Sequence, residues 1–190
     1  MSRIRVEVNQ EDMRALQFKL RKMSNKAPMH VKNAVNRTGT QAMKMIRAGR
    51  TKGYTVKAGR FNADITTQRA NVSHLDYTIT ANGRPPTLSK SFRTSAPKTG
   101  GKADVTKSGL KKLVTATGGA AFVPAGGRAE GLMAQRRGKS RFPLKVFYGN
   151  SVPKMLEKIY KGERGGQGDM ESKIQKILHD EIQKEIAKIK

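Results

Sequence analysis

The chain has 190 residues and carries 39 Lys and Arg against 14 Asp and Glu, a formal net charge of +25. It has no Cys, which excludes disulfides and thiolate metal sites. No apolar run approaches the roughly 20 residues needed to cross a bilayer. The N-terminus has no signal-type apolar stretch, so we expect the protein to be made in a reducing cytoplasm.

The excess positive charge lies in the middle of the chain. Between Met13 and Leu156, 29 Lys and Arg stand against four acids, whereas the two ends taken together are neutral. Because such an imbalance opposes folding by self-repulsion, it predicts a polyanionic or acidic partner in the working state. The candidate contacts with DNA or with such a partner are Arg47, Arg50, Lys52, Lys98, Lys102, Lys107, Lys111, Lys112, Arg136, Arg137, Lys139 and Arg141. The chain has no Trp and few aromatic residues, so any DNA contact is expected at the backbone, without base specificity.

The first half of the chain predicts a strand followed by helices. Alternating residues predict a short edge strand over Arg3 to Val8, and a capped apolar stripe predicts a first helix over Asn9 to Met23. A second helix is expected from Pro28 to about Arg47, in which Gly39 either weakens the helix or marks a close contact. The stretch Val56 to Ile65 reads as a further short helix.

Strands are predicted after residue 74. The best strand signal is the alternation from His74 to Ala81, closed by Asn82-Gly83, a hairpin-turn pair. Weaker candidates follow at Ser91–Ser95, Lys102–Thr106, Lys111–Thr115, Ala120–Val123, Leu132–Gln135 and Leu144–Tyr148. These short segments with Gly-rich turns predict one antiparallel sheet, with the two earlier helices covering one of its faces.

The end of the chain is predicted to be helical again. A helix follows Pro153, and a second begins at Asp169, whose carboxylate can cap it. Its apolar seam is expected to pack either on its own domain or on a neighbouring subunit. The predicted fold is α+β, a small, mainly antiparallel sheet packed by N-terminal helices, with extended loops and a C-terminal helix. We divide it into a basic domain over 1–161, a Gly-rich hinge over 162–168 and an amphipathic helix over 169–190.

No pattern of catalytic residues stands out. The three histidines lie in different elements, and no phosphate-binding glycine loop occurs. Ser108 and Ser151 each begin a Ser-x-x-Lys match, which chance explains in a Lys-rich chain. We therefore expect a protein that is not an enzyme and has no metal or cofactor.

One segment is more specific than composition. From Gln135 to Leu156, a strand ends in Gln-Arg, a basic turn follows, and a Tyr-Gly pair then leads through Ser-Val-Pro into a helix. With an earlier Asn-Arg pair, this pattern resembles the phage minor tail protein Z family. The residues that carry the resemblance are Asn36, Arg37, Gln135, Arg136, Arg141, Pro143, Tyr148, Gly149, Ser151, Val152 and Pro153. The region 71–117 matches little of the family pattern.

The resemblance implies a structural protein of a tailed bacteriophage. Such a protein would complete the tail at its head-proximal end, in the neck of the virion, and join it to the head connector. Its implied partners are copies of itself in a ring, commonly sixfold, the tail tube or terminator and the head-connector proteins. The basic charge adds an expected contact with the backbone of the DNA end, and no membrane partner is expected. The charge alone supports an alternative from another class, a cytoplasmic DNA-binding protein without sequence specificity.

Overall fold

The computed structural model describes residues 2–6, 27–98, 100–114 and 119–188. Helices pack on small antiparallel sheets, so the predicted α+β class with a C-terminal helix is confirmed. The first predicted helix, Asn9 to Met23, lies outside the described residues.

Eight strands and five helices occur within the described ranges. In chain order they are β1 Ser2–Val6, α1 Ala27–Gly53, α2 Ala58–Ala63, β2 Ile65–Gln68, β3 Tyr77–Ala81, α3 Leu88–Ser91, β4 Arg93–Ser95, β5 Lys102–Asp104, β6 Lys111–Lys112, β7 Ala134–Arg136, β8 Leu144–Val146, α4 Val152–Tyr160 and α5 Met170–Ala187.

The first sheet has the order β1-β3-β2, and both neighbours of β3 are antiparallel to it. The predicted hairpin at Asn82-Gly83 does not form, because both flanking strands precede β3 in the chain. The main-chain N–H of Asn82 instead donates to the carbonyl of Asp64 at 2.8 Å. Strand β2 begins at Ile65, which the sequence reading placed at the end of a helix.

Helix α1 covers one face of this sheet. A Cβ on its Gly39 would overlap the ring of Tyr77 from β3, so the glycine marks a close contact, one of the two predicted alternatives. The helix continues to Gly53, about two turns beyond its predicted end. The 162–168 segment, predicted as a hinge, lies against this last part, where Gly165 meets the main chain of Gly49.

Helix α5 packs on α1 of the same chain, one of the two partners left open by the sequence. The side chain of Asp169 caps the helix by accepting hydrogen bonds from the N–H groups of Glu171 and Ser172, as predicted. The buried side of the helix carries Met170, Ile174, Leu178 and Ile182.

A buried carboxylate adds polar contacts to this helix pair. Glu185 of α5 is 3% exposed and accepts from Arg37 at 2.6 Å and from Lys188 at 2.6 Å. The Nδ1 atom of His30 lies 2.8 Å from the same carboxylate. Burial by itself raises the pKa of Glu185, but the hydrogen bonds from Lys188 and His30 and the charges of Lys188 and Arg37 outweigh it, and the pKa lies below its ordinary value.

The remaining strands form a second unit of structure, which we call the β lobe (the described part of residues 82–150). Its sheets have the orders β4-β5-β6 and β7-β8. Single bridges connect Phe122 to Ala134 and Thr87 to Tyr148. The prediction of one sheet is therefore wrong: the described strands divide into three. The strands of the β lobe are only two or three residues long, and Pro85-Pro86, which cannot donate to a ladder, separate them from β3.

Candidate interaction surface

The β lobe carries far more positive charge than its own acids can neutralise. Residues 82–150 contain fourteen Lys and Arg against two acids, Asp104 and Glu130. Among the described residues, every ion pair involves Arg5, His30, Arg37, Arg60 or a lysine of the C-terminal helices and the turn between them. Because no base of the β lobe takes part in these pairs, its field extends into the solvent.

Three of the predicted contact residues line one groove of about 550 Å³, which we call the hairpin groove. Arg136, Arg137 and Lys139, from the end of β7 and the turn after it, line the groove with Phe122 and the glycine-rich chain at Gly119. The guanidinium of Arg136 lies 5.8 Å from the centroid of the Phe122 ring, a cation–π distance that favours a fixed orientation.

The buried side of the same strand holds the groove together. Gln135 is buried, and its side-chain amide donates to the carbonyl of Gly119. The N–H and carbonyl of Phe122 pair with those of Ala134, both at 2.8 Å. The basic residues therefore project from a ribbon whose main chain is paired.

A second concave site, the junction groove of about 630 Å³, lies where the end of α1 meets the β lobe. Two predicted contact residues, Arg50 and Lys107, line it together with Arg93, which the sequence reading missed. Arg50 donates to the carbonyl of Val56 at 3.0 Å, which ties its guanidinium to its own chain. Asp104 also lines the groove, is 4% exposed, and has an Oδ1 atom without a hydrogen-bond partner. No described base pairs with it.

The structure does not bring the other predicted contact residues into either groove. Lys102 and Lys112 are cross-strand neighbours on β5 and β6, with Lys111 opposite Ala103. The remaining candidates are exposed or partly exposed at separate places: Arg47 and Lys52 on α1, Lys98 near the tip after β4, and Arg141 in the turn after β7. None of the twelve candidates forms an ion pair with an acid in the described ranges.

Several residues of the resemblance make specific contacts inside the fold. The side chain of Asn36 pairs with the main chain of Ala70, and Arg37 is bound to Glu185. A Cβ on Gly149 would overlap the ring of Phe92, so the ring occupies the space that a side chain would need.

The end of the resemblance forms the start of α4. Val152 and Pro153 are buried in its first turn, and the carbonyl of Ser151 accepts from the N–H of Met155 at 3.0 Å. Proline suits this position because its missing N–H has no partner in a first turn. Pro143 and Tyr148 are exposed.

Tyr148 belongs to a surface that the sequence reading missed. Leu144 and Val146 of β8 and Tyr148, two residues beyond its end, alternate along the chain, and none of them packs on the hydrophobic core, whereas Phe147 does. The alternation was visible in the sequence, but it predicted only a strand and not which face points away from the core.

The described part of the chain contains neither a metal-binding cluster nor a membrane-spanning helix. No group of three His, Asp or Glu residues there is placed to hold a metal ion. None of the described helices is both long and apolar enough to cross a membrane. Comparison of the chain with known protein families, with curated proteins and with solved structures found no match.

Proposed function

We propose that the chain is a non-enzymatic structural protein of a tailed-bacteriophage virion, which completes the tail at its head-proximal end and joins it to the head connector. The observation that carries this proposal is the unpaired positive charge of the β lobe, three of whose residues converge on the hairpin groove. Those three basic residues lie within the Gln135 to Leu156 segment that resembles the minor tail protein Z family. An acidic or polyanionic partner would remove the self-repulsion that this surface causes.

A ring of identical subunits would concentrate this positive charge around one axis. In a cyclic assembly every copy presents the same surface, so a basic lobe on one copy becomes a belt of positive charge around the axis. A DNA end passing such a belt would be held through its phosphates without readout of its sequence. The proposed partners are therefore copies of this chain, the tail tube or terminator, the head connector and the DNA backbone.

The alternative is a cytoplasmic DNA-binding protein without sequence specificity, and the same unpaired charge favours it. The two functions differ in what a free subunit does. A DNA-binding protein would bind duplex DNA tightly as a monomer, with an affinity that falls steeply as salt rises. The slope of log K against log salt concentration would be about −0.9 for each phosphate neutralised. A virion protein would bind duplex weakly until it is assembled.

Mass spectrometry of gradient-purified particles tests the leading proposal. We expect the chain in mature virions and in isolated tails, and electron cryomicroscopy of the neck should place it at the head-proximal end of the tail. Its absence both from particles and from assembly intermediates would reject the proposal. Tight duplex binding by the free monomer, together with that absence, would favour the alternative.

Charge reversal tests the role of the turn after β7. Arg136, Arg137, Lys139 and Arg141 are all exposed, so the quadruple change to Glu should leave the subunit folded while it impairs particle assembly or the positioning of DNA. The matched control changes four other exposed bases to Glu, so that net charge is equal: Lys44, Arg69, Lys154 and Lys176. Infectious particles from the first variant, at the yield of the control, would reject this role.

A further inference from the structure

The outer face of the β7–β8 ribbon is apolar. Side chains two residues apart on a strand share a face, which places Leu144, Val146 and Tyr148 together. Leu144 and Val146 are half-buried and Tyr148 is 59% exposed. Phe142, just before the strand, is 67% exposed. From Leu144 to Tyr148 the chain advances about 13 Å, at about 3.3 Å per residue, so the apolar stripe is longer than an isolated surface residue would produce.

The stripe continues across the neighbouring chain segments. Directly paired residues lie on the same face, which adds Ala134, opposite Val146, and Phe122, opposite Ala134. Neither Phe122 nor Val146 belongs to the hydrophobic core or packs against it, and the small Ala134 between them is fully buried. The face is therefore turned away from the body of the subunit, while Met133 and Phe147 on the other side of the ribbon pack inward.

Positive charge borders this face. Arg136 lies opposite Leu144 and its guanidinium lies over the Phe122 ring, and the guanidinium of Arg141 lies 5.9 Å from the centroid of the Phe142 ring. Arg137 and Lys139 line the adjoining hairpin groove. No described acid pairs with any of these four bases. An apolar centre with aromatic and arginine residues at its edge has the composition of a protein-binding surface.

We propose that this ribbon face (Phe122, Leu144, Val146 and Tyr148, bordered by Arg136 and Arg141) docks a protein other than this chain, whose contact surface has an apolar centre and a rim of Asp and Glu. Nucleic acid fits less well, because a phosphate backbone gains nothing from covering Leu144 and Val146. A second copy fits less well too. The chain's own net charge of +25 opposes contact between this basic border and a second copy, and residues 82–150 of that copy hold only Asp104, which is buried, and Glu130.

The chain also holds the stripe in place. The N–H of Leu88 donates to the carbonyl of Phe147 at 3.1 Å, and the N–H of Gly149 donates to the carbonyl of Pro86 at 2.8 Å. These two bonds flank Tyr148 and fix its main chain. A prearranged aromatic residue loses little conformational freedom on binding, which favours its use as an anchor.

Photo-crosslinking from the face itself tests the proposal. The photoreactive residue p-benzoylphenylalanine replaces Tyr148 in the full chain, produced in the cells in which the chain naturally occurs, and the captured peptides are identified by mass spectrometry. The matched control carries the same residue at Lys176, exposed on α5. We expect Tyr148, and not Lys176, to capture one other protein, through an apolar segment flanked by acids. Adding Arg136→Glu and Arg141→Glu should reduce that capture at least tenfold.

Three results would overturn the proposal: capture only of this chain, capture of nucleic acid, or no capture specific to Tyr148. If the arginine reversals leave capture unchanged, the proposal that the partner has a rim of Asp and Glu is rejected. With the captured protein purified, Tyr148→Ser should weaken its binding at least tenfold and Lys176→Glu should not, with circular dichroism to show that both variants are folded.

The proposal does not depend on the virion function, and the experiment separates the two. A captured protein that is foreign to the virion would leave the docking face in place and would count against the proposed function. If the chain is found in virions but the residue at position 148 captures only other copies or DNA, the proposed function is supported and the docking face is rejected.

Discussion

The side-chain amide of Asn36 on α1 makes two hydrogen bonds with the main chain of a single residue, Ala70. Its Nδ2 donates to the Ala70 carbonyl and its Oδ1 accepts from the Ala70 N–H, both at 2.9 Å. The pair fixes the chain that leaves β2 against the covering helix. Asn36 therefore does for this segment what a neighbouring strand does for β3, by satisfying both main-chain groups of one residue.

Asn36→Asp should destabilise the fold by about 1–3 kcal/mol, because a carboxylate cannot donate to the Ala70 carbonyl and leaves that partly buried oxygen unpaired. Urea unfolding followed by circular dichroism measures the change. Asn33→Asp, on the same helix and with the same change of charge, is the control, and we expect less than about 0.5 kcal/mol from it. Equal losses in the two variants would show that the Ala70 pair contributes nothing.

Gly149→Ala should cost about 1–3 kcal/mol, since the added methyl group would overlap the ring of Phe92 and force one of them to move. Gly138→Ala is the control because nothing lies within 4 Å of a Cβ there. In a double-mutant cycle, Phe92→Leu should recover part of the loss of Gly149→Ala. Strictly additive changes in the free energy of unfolding would exclude the proposed overlap.

Glu185→Gln should lower stability by about 1–3 kcal/mol. The amide keeps the shape of the side chain but removes the charge that Arg37, His30 and Lys188 share. Asp180→Asn, at an exposed position of the same helix, controls for the loss of one acid. If both variants melt at the same temperature, the cluster has no part in docking α5.

The lowered pKa of Glu185 predicts that the protein loses stability in acid. The pKa of Glu185 is lower in the folded state than its ordinary value of 4.5, so the unfolded chain binds the proton more readily. The stabilisation is complete above about 4.5 and is lost as the pH falls through the lowered value. The hydrogen bond from Lys184 likewise lowers the pKa of Glu181, and the loss has the same sign. Melting temperatures between pH 3 and 7 should fall on the acid side, and Glu185→Gln should show a smaller fall; a parallel profile would contradict this.

Leu178→Ala should cost about 2–5 kcal/mol, because Leu178 is buried between α5 and the rest of its own chain and its loss leaves a cavity. Gln175→Ala on the exposed side of the helix should change stability little. Sedimentation of both variants separates folding from assembly. A Leu178→Ala subunit that keeps its stability and loses only its oligomeric state would show that the helix serves a neighbour instead.

Local patterns determined the elements of this fold. The alternation from His74 to Ala81 contains β3, the helix signal after Pro28 belongs to α1, and Asp169 caps α5 as its side chain predicts. These features could be predicted because each depends on neighbours a few residues apart along the chain. The segment that carries the excess positive charge could also be predicted, because it is found by counting charged residues along the sequence.

Pairing between distant segments could not be predicted in this way. The sequence favoured one sheet and a hairpin at Asn82-Gly83, but the structure has three sheets with β3 in the middle of the first. Strand β2 is missing from the prediction because its residues, mostly exposed, show no apolar alternation. Three contacts position β2: the hydrogen bond between Asn82 and Asp64, the pairing of Ile65 with Ala81, and the hydrogen bonds between Asn36 and Ala70. Each of them joins residues that are far apart in the sequence.

By itself, the sequence determined the α+β class, most of the described elements and the excess of positive charge in the middle of the chain. Only the tertiary structure decided that α5 packs on its own α1, that Arg136, Arg137 and Lys139 share a groove while Lys98 does not, and that Phe147 faces the core while Tyr148 faces outward. An apolar seam or an alternating strand specifies that one face will be covered. Which surface covers it depends on contacts between residues far apart in the chain, and these form only when the whole fold closes.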